Sequence, residues 1–192
     1  MIYTQKIQRA IGFAIRIHEV DQKQKRKGKD IPYIIHPLLV GFILASAKAE
    51  EDLVVAGILH DTIEDSIPEK KVTNEIIIKK FGNKVAKLVY SVTEPDKTLP
   101  WKARKREALE HIKTFSHNEL LLKSADILSS LSELLIDYKK FGDEVFSRFN
   151  ASEDLVKKRN IKELKMLLDE WPGNPLREDL QKILENMKAI SK

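Results

Sequence analysis

Four side chains of metal-binding type stand in or next to apolar stretches of this sequence: His36, the adjacent pair His60 and Asp61, and Asp126. A polar side chain in a buried apolar segment costs free energy unless it is paired or bound to a metal ion. Two imidazoles and two carboxylates form a donor set that suits a borderline divalent ion such as Mn, Fe, Co or Zn. The four residues together predict a metal centre that leaves coordination positions for water and substrate.

Two further carboxylates follow the His-Asp pair at helical spacing. Residues four positions apart share one face of a helix, so Glu64 is predicted one turn beyond His60, and Asp65 one turn beyond Asp61. A carboxylate beside a metal centre can orient or deprotonate water, which makes Glu64 and Asp65 the predicted general acid–base residues. The remaining histidines are predicted to be capped or surface residues and not ligands: His18, His111 and His117.

The elements that position these residues are predicted to be helices. Apolar residues recur at spacings of three and four almost throughout, and two-residue alternation is nearly absent. One helix is predicted from Glu51 to Glu64, and another has Pro32 in its first turn. A helix break is predicted at Gly82 and a loop at 95–100. The chain is therefore predicted to be all-α, a single domain over 1–192 with roughly eight to ten helices.

Composition narrows the function classes. The chain has 192 residues, of which 42% are hydrophobic and 33% charged, and this excludes a disordered or low-complexity protein. The absence of cysteine excludes a disulfide scaffold and any thiolate chemistry. No signal peptide or membrane span is visible, so a soluble, cytoplasmic protein is predicted. The net charge of +5 leaves nucleic-acid binding to be considered.

Several sequence blocks, in order, resemble the hydrolase domain of RelA/SpoT proteins, within the HD-domain phosphohydrolase superfamily. The resemblance is strongest over 5–150, and 151–192 are expected to form C-terminal helices. A further stretch, 95–105, resembles small stand-alone bacterial members. The blocks are 32–37 (Pro-Tyr-Ile-Ile-His-Pro), 56–65 (Ala-Gly-Ile-Leu-His-Asp-Thr-Ile-Glu-Asp), 81–82 (Phe-Gly), 92–94 (Val-Thr-Glu) and 125–126 (Ala-Asp).

This resemblance implies an all-α, Mn²⁺-dependent phosphohydrolase. The best-known activity of the family removes the 3′-pyrophosphate from (p)ppGpp and gives GDP or GTP and pyrophosphate. Glu64 and Asp65 would activate the attacking water, and the expected metal ligands are His36, His60, Asp61 and Asp126. Because the larger relatives carry a synthetase domain for which 192 residues leave no room, a hydrolase alone is expected.

Substrate contacts are expected from basic residues. Lys25, Arg26 and Lys27 match the family's phosphate-contacting residues, and a second basic cluster includes Lys97 and Lys105. Both clusters suit an electropositive mouth for a nucleotide with several phosphates. At two positions the sequence departs from the family, which usually has a basic residue and a nucleotide-contacting asparagine: Ile127 and Ser130.

These departures leave the substrate open. The main alternative is the same fold acting on another nucleotide phosphate, such as the 2′-phosphate of NADPH. A basic module that binds nucleic acid or an alarmone without cleaving it is the alternative outside enzymes. No nucleic-acid recognition motif is visible, and such a module would not explain the His/Asp set. A small phosphorylated nucleotide is therefore the expected partner, while the oligomeric state is not readable from the sequence.

Overall fold

Helices form the regular structure of this protein. The computed structural model describes residues 3–94 and 101–191, without the side chains of 101–103 and 105. Within these ranges there is no strand, only an isolated bridge between Lys25 and Pro32, and no helix is long and apolar enough to cross a bilayer. The all-α prediction is confirmed by ten α-helices in the described residues: α1 Gln5–Ile15, α2 Ile35–Ser46, α3 Glu51–Leu59, α4 Thr62–Asp65, α5 Asn74–Phe81, α6 Asn83–Val92, α7 Trp101–Ile112, α8 His117–Phe141, α9 Glu153–Glu170 and α10 Arg177–Ala189.

The chain divides into two compact units, Met1–Arg104 and Lys105–Lys192. In the first unit α3 is central and contacts α1, α2 and α6. Every residue of α3 from Leu53 to Leu59 is buried, as its dense apolar sequence requires. The single domain over 1–192 stays a prediction.

The second unit is built on the long helix α8. Its first turn is fixed by a capping box in which the Ser116 hydroxyl accepts from the Glu119 N–H, and the Glu119 carboxylate accepts from the Ser116 N–H. Helix α10 packs on both α8 and α9. In the turn before α10 the buried Asn174 amide donates a 2.9 Å hydrogen bond to the Ser124 hydroxyl of α8, which ties the turn to that helix.

Two helix boundaries differ from the predictions. The helix predicted from Glu51 to Glu64 ends at Leu59, because a side-chain hydroxyl takes the place of a backbone N–H as the hydrogen-bond donor there. The Thr62 hydroxyl donates to the Leu59 carbonyl at 2.7 Å, and the chain turns before α4 begins. The helix predicted to have Pro32 in its first turn begins only at Ile35. The break at Gly82 is confirmed, since this glycine adopts a φ of 93°.

Candidate metal centre and catalytic site

Two glycines bring α2 and α3 into close contact. A Cβ on Gly57 would lie 2.4 Å from Leu44 Cδ1, and one on Gly41 would lie 2.6 Å from Ile58 Cγ1. Leu44 is fully buried and has no room to retreat. Only glycine therefore allows the two backbones to approach this closely without displacing neighbours. The close approach is what places the first turn of α2 beside the end of α3.

His36 and His60 meet at this junction. Their ring centroids are 5.1 Å apart, and both side chains are almost fully buried. Asp61 Oδ2 lies 2.9 Å from His60 Nε2 and 3.8 Å from His36 Nε2. The structure thus brings together three of the four predicted metal ligands, and both imidazoles turn the same ring nitrogen towards the carboxylate.

The hydrogen bonding of the His60 ring is that expected of a metal-binding histidine. Its Nδ1 lies 2.8 Å from the Gly57 carbonyl oxygen, which can only accept, so Nδ1 carries a proton. Nε2 then offers a lone pair when the ring is neutral. A metal-binding histidine commonly has its second nitrogen fixed by a carbonyl in this way. The donor atoms are two imidazole nitrogens and a carboxylate oxygen, the chemistry expected for a borderline divalent ion.

Tyr33 holds the carboxylate of Asp61. Its hydroxyl donates a 2.5 Å hydrogen bond to Oδ2, and its ring stands edge-on to His36 at 5.8 Å. Burial, together with the negative charges of Asp61 and Asp65, raises the pKa of Tyr33 above its usual value. The phenol therefore stays protonated and remains a donor. This residue lies in the 32–37 block but was not among the predicted site residues.

The two predicted acid–base residues lie on α4. The N–H of Asp65 donates to the Asp61 carbonyl at 2.9 Å, so Asp65 does stand one helical turn beyond Asp61. The Asp65 carboxylate accepts a 2.9 Å hydrogen bond from Gln24 Nε2. Glu64 accepts a longer, 3.4 Å bond from the Glu94 N–H. Both side chains are half-buried, as a group that exchanges protons with water requires.

Asp126, the fourth predicted ligand, lies on α8 in the second unit, with about a fifth of its side chain exposed (21%). Lys123 donates to its Oδ2 at 2.8 Å and also lies 3.2 Å from Glu163. Burial lowers the pKa of Lys123, but the charges of Asp126 and Glu163 outweigh it, so the net pKa is raised. The Lys123 ammonium group therefore keeps its charge beside Asp126.

The predicted substrate contacts differ in their surroundings. The Arg26 guanidinium is half-buried and stands 5.3 Å from the centre of the Tyr33 ring, beside the His/Asp set. Lys27 is exposed, and Lys25 forms an exposed 2.9 Å ion pair with Asp30. Ser130 is half-buried on α8, one turn beyond Asp126. Two positions fall outside the description: Lys97 altogether, and the side chain of Lys105.

Gln24, which donates to Asp65, and its partner His18 were not among the predicted site residues. His18, predicted to be a capped or surface residue, is fully buried, and its Nδ1 lies 2.7 Å from Gln24 Oε1. A surface position is therefore wrong for His18, which is buried in the π-helical turn Arg16–Asp21 that follows α1. The sequence signal available was a histidine and a glutamine just ahead of the basic cluster that begins at Lys25.

A family model described as "HD domain" matches residues 10–134 of this chain. The guanosine-3′,5′-bis(diphosphate) 3′-pyrophosphohydrolase of Aquifex aeolicus is 31% identical over 99% of the chain, which spans 27% of that protein. The protein of the same name called MESH1 in Xenopus tropicalis is 39% identical over 65% of the chain and 67% of its own length. The chain thus spans about a quarter of the former and two thirds of the latter.

Two solved structures are similar in fold. One, described as a metazoan ortholog of SpoT that hydrolyzes ppGpp, has a TM-score of 0.76 and 25% identity, with 95% of this chain and 96% of that chain covered. The other, lmo0812 from Listeria monocytogenes, has a TM-score of 0.72 and 34% identity, with 81% and 98% covered. Both similarities extend over most of this chain.

Proposed function

Because the chain belongs to the HD-domain family, we propose that it is a metal-dependent phosphohydrolase that removes the 3′-pyrophosphate from guanosine 3′,5′-bis(diphosphate). The reaction adds one water molecule: the bond between the 3′-oxygen and phosphorus breaks, and the products are GDP and pyrophosphate. The pentaphosphate analogue would give GTP in the same way.

The observation that carries this proposal is the meeting of the buried His36 and His60 with the half-buried Asp61, joined by the 2.9 Å and 3.8 Å contacts of one carboxylate oxygen. Asp126 is proposed as the fourth ligand, because the family match over 10–134 includes it with the other three. Its carboxylate pairs with the Lys123 ammonium group, and a carboxylate is the form of an aspartate that binds a cation.

We propose Mn²⁺ as the ion, with Fe, Co and Zn as the other ions that this donor set suits. A bound divalent ion supplies a Lewis acid for the phosphoryl oxygens and lowers the pKa of water. The protein's own contribution is to hold the donors in place: Gly57 fixes the ring of His60, and Tyr33 fixes the carboxylate of Asp61. Such outer partners orient the ligands and tune their basicity.

Glu64 and Asp65 would orient the attacking water and accept its proton. Both stand on the short helix that follows the His-Asp pair, and both are half-buried. Their carboxylates accept from the Glu94 N–H and from Gln24, and the two oxygens of a carboxylate offer about four acceptor sites, with which it can also accept from water. We assign neither of them to the metal.

The substrate is proposed from charge and from the relatives. A guanosine nucleotide with two diphosphates carries more negative charge than one divalent ion neutralises, so cationic side chains are needed. Arg26 is favoured as the phosphate contact because it stands beside the Tyr33 ring next to the ligand set. Ser130 would contact the nucleotide as a hydrogen-bonding hydroxyl. Further contacts are proposed for Lys25, Lys27, Lys97 and Lys105.

The arrangement of the whole chain is also a proposal. We propose that residues 1–192 work as one catalytic domain, since the match to the HD-domain model runs from residue 10 in the first unit to residue 134 in the second. The absence of cysteine is compatible with a reducing compartment, and we propose the cytoplasm as the location.

The test is a screen for Mn²⁺-dependent release of phosphate and pyrophosphate from ppGpp, pppGpp, NADPH and ordinary nucleotides. We expect pyrophosphate from ppGpp and pppGpp, with Asp61→Asn as the inactive control. If phosphate is released from NADPH and nothing is released from the other compounds, the activity is removal of a 2′-phosphate. Tight ppGpp binding without any product would make the protein an alarmone-binding module.

A further inference from the structure

Gln24 joins three parts of the first unit through four hydrogen bonds. Its N–H donates to the His18 carbonyl at 2.8 Å, and its carbonyl accepts from the Tyr33 N–H at 2.8 Å. Its side-chain Oε1 lies 2.7 Å from His18 Nδ1, and its Nε2 donates to Asp65 Oδ2 at 2.9 Å. The backbone of Gln24 is therefore fixed on both sides, so its amide has little freedom to leave Asp65.

The ionised form of Asp65 sets the direction of this chain of bonds. An ionised carboxylate only accepts, so the Gln24 NH₂ group must face it and the amide oxygen must face His18. That oxygen in turn requires a proton on His18 Nδ1. His18 Nε2 is buried and has no hydrogen-bond partner among the described residues, which is tolerable for a lone pair and costly for an N–H. The Asp65 carboxylate at one end and His18 Nε2 at the other thus favour the same arrangement, with the proton of His18 on Nδ1.

A second glutamine supports the same residue. Gln22 donates through Nε2 to the backbone carbonyl of Asp65, so Gln22 and Gln24 hold its main chain and its carboxylate respectively. Both follow the π-helical turn Arg16–Asp21, whose wider winding buries His18. Such turns are rare in helices and are found disproportionately at functional sites.

We propose that Gln24, oriented by His18, is a positioning residue that holds the Asp65 carboxylate in place and aims it for proton transfer. The expected effect of Gln24 on turnover rests on the proposed hydrolase function. The hydrogen-bond chain itself makes a claim about His18 that can be tested without substrate. Gln24 also belongs to the loop that carries Arg26, so one residue links the basic loop to the acid–base group.

The substrate-independent test is the tautomer of His18. Nitrogen-15 NMR of the histidine-labelled, full-length protein distinguishes a proton on Nδ1 from one on Nε2, and His18→Asn identifies the His18 signals by their loss. We expect the Nδ1–H form in wild type, which is the minor tautomer of free histidine, and its loss in Gln24→Ala. An Nε2–H form in wild type overturns the proposal, whatever the substrate.

The kinetic test separates positioning from folding. Gln24→Ala is expected to lower kcat by about tenfold to a hundredfold, the cost of a displaced catalytic group, while KM and the Mn²⁺ dissociation constant stay close to wild type. Gln8→Ala, at an exposed glutamine of α1, is the matched control and should change nothing. An unchanged kcat in Gln24→Ala contradicts the proposal. So does a loss of activity in which KM and the Mn²⁺ dissociation constant change as much as kcat does.

His18 variants provide the rescue experiment. In His18→Asn the side-chain amide can replace the Nδ1–H donor, so kcat should stay near wild type. His18→Ala has no donor and should lose turnover as Gln24→Ala does. Equal loss in both variants, or none in either, assigns His18 to packing alone and overturns its positioning role. If wild type releases no product from ppGpp, the proposed function fails, while the tautomer result still decides the hydrogen-bond chain.

Discussion

The buried carboxylate of Glu163 on α9 gives a quantitative test of the second unit. Its side chain is only 4% exposed and lies between two cations, 3.2 Å from Lys123 and 2.9 Å from Arg159. Glu163→Gln keeps the shape and removes the charge. Since Lys123 also pairs with Asp126, the change removes one of the two acidic partners that this ammonium group has in the structure.

The expected loss follows from burial and geometry. Breaking a fully buried ion pair costs about 3–5 kcal/mol because the remaining charge is left without compensation. Here Lys123 and Arg159 are 21% and 29% exposed, so water relieves part of that cost. The glutamine oxygen can still accept one hydrogen bond. We therefore expect the free energy of unfolding to fall by about 1.5–3 kcal/mol, the range for a hydrogen bond to a charged group.

The assay is urea unfolding followed by circular dichroism, with Glu185→Gln at an exposed position of α10 as the matched control. Exposed substitutions of this kind usually change stability by less than about 0.5 kcal/mol. Although burial alone would raise the pKa of Glu163, Lys123 and Arg159 outweigh it, so its net pKa is lowered in the folded state. The stabilisation is therefore complete at neutral pH and is lost as pH falls from about 4 through the folded-state pKa. Equal stability of the two variants at pH 7, or a difference that persists in strong acid, refutes this reasoning.

Three other variants, the first with a matched control, test the site. Gly57→Ala should lower the free energy of unfolding by about 1–3 kcal/mol through overpacking against Leu44, whereas Gly12→Ala, with open space around the new methyl group, should raise it slightly; urea unfolding measures both. Glu64→Gln should keep Mn²⁺ affinity in calorimetry and lose about a hundredfold in kcat, and retained turnover would make Glu64 structural. Arg26→Gln should raise KM for ppGpp more than it lowers kcat in steady-state kinetics, and an unchanged KM would remove Arg26 from the substrate contacts.

Helix boundaries were predicted best where the residues at the helix end themselves signal it in the sequence. The stretch 151–192, expected to form C-terminal helices, contains the helix Glu153–Glu170, and the predicted break at Gly82 coincides with a positive φ that favours glycine. The end of α3 at Leu59 was missed, because the donor that replaces the backbone there is a side chain, that of Thr62. Such a bond competes with helix continuation but leaves no trace in apolar periodicity.

The candidate site was predicted unevenly for a similar reason. His36, His60 and Asp61 stand out as polar residues in or next to apolar stretches of the sequence, and the structure brings them together. The partners of the predicted acid–base carboxylates were not foreseen, since Gln24 reaches Asp65 from 41 positions away and pairs with it only after the chain has folded. No pattern of spacing along one helix encodes that contact.

The central claim is that one divalent ion, held by the His/Asp set, supports removal of the 3′-pyrophosphate. It is tested most directly by titrating Mn²⁺ into the metal-stripped protein while metal binding and pyrophosphate release from ppGpp are followed in the same samples. The account predicts that turnover rises in proportion to one bound ion per chain, and that Asp61→Asn loses both. Full turnover in the stripped protein, or Mn²⁺ bound tightly by the chain without any release of pyrophosphate, would contradict it.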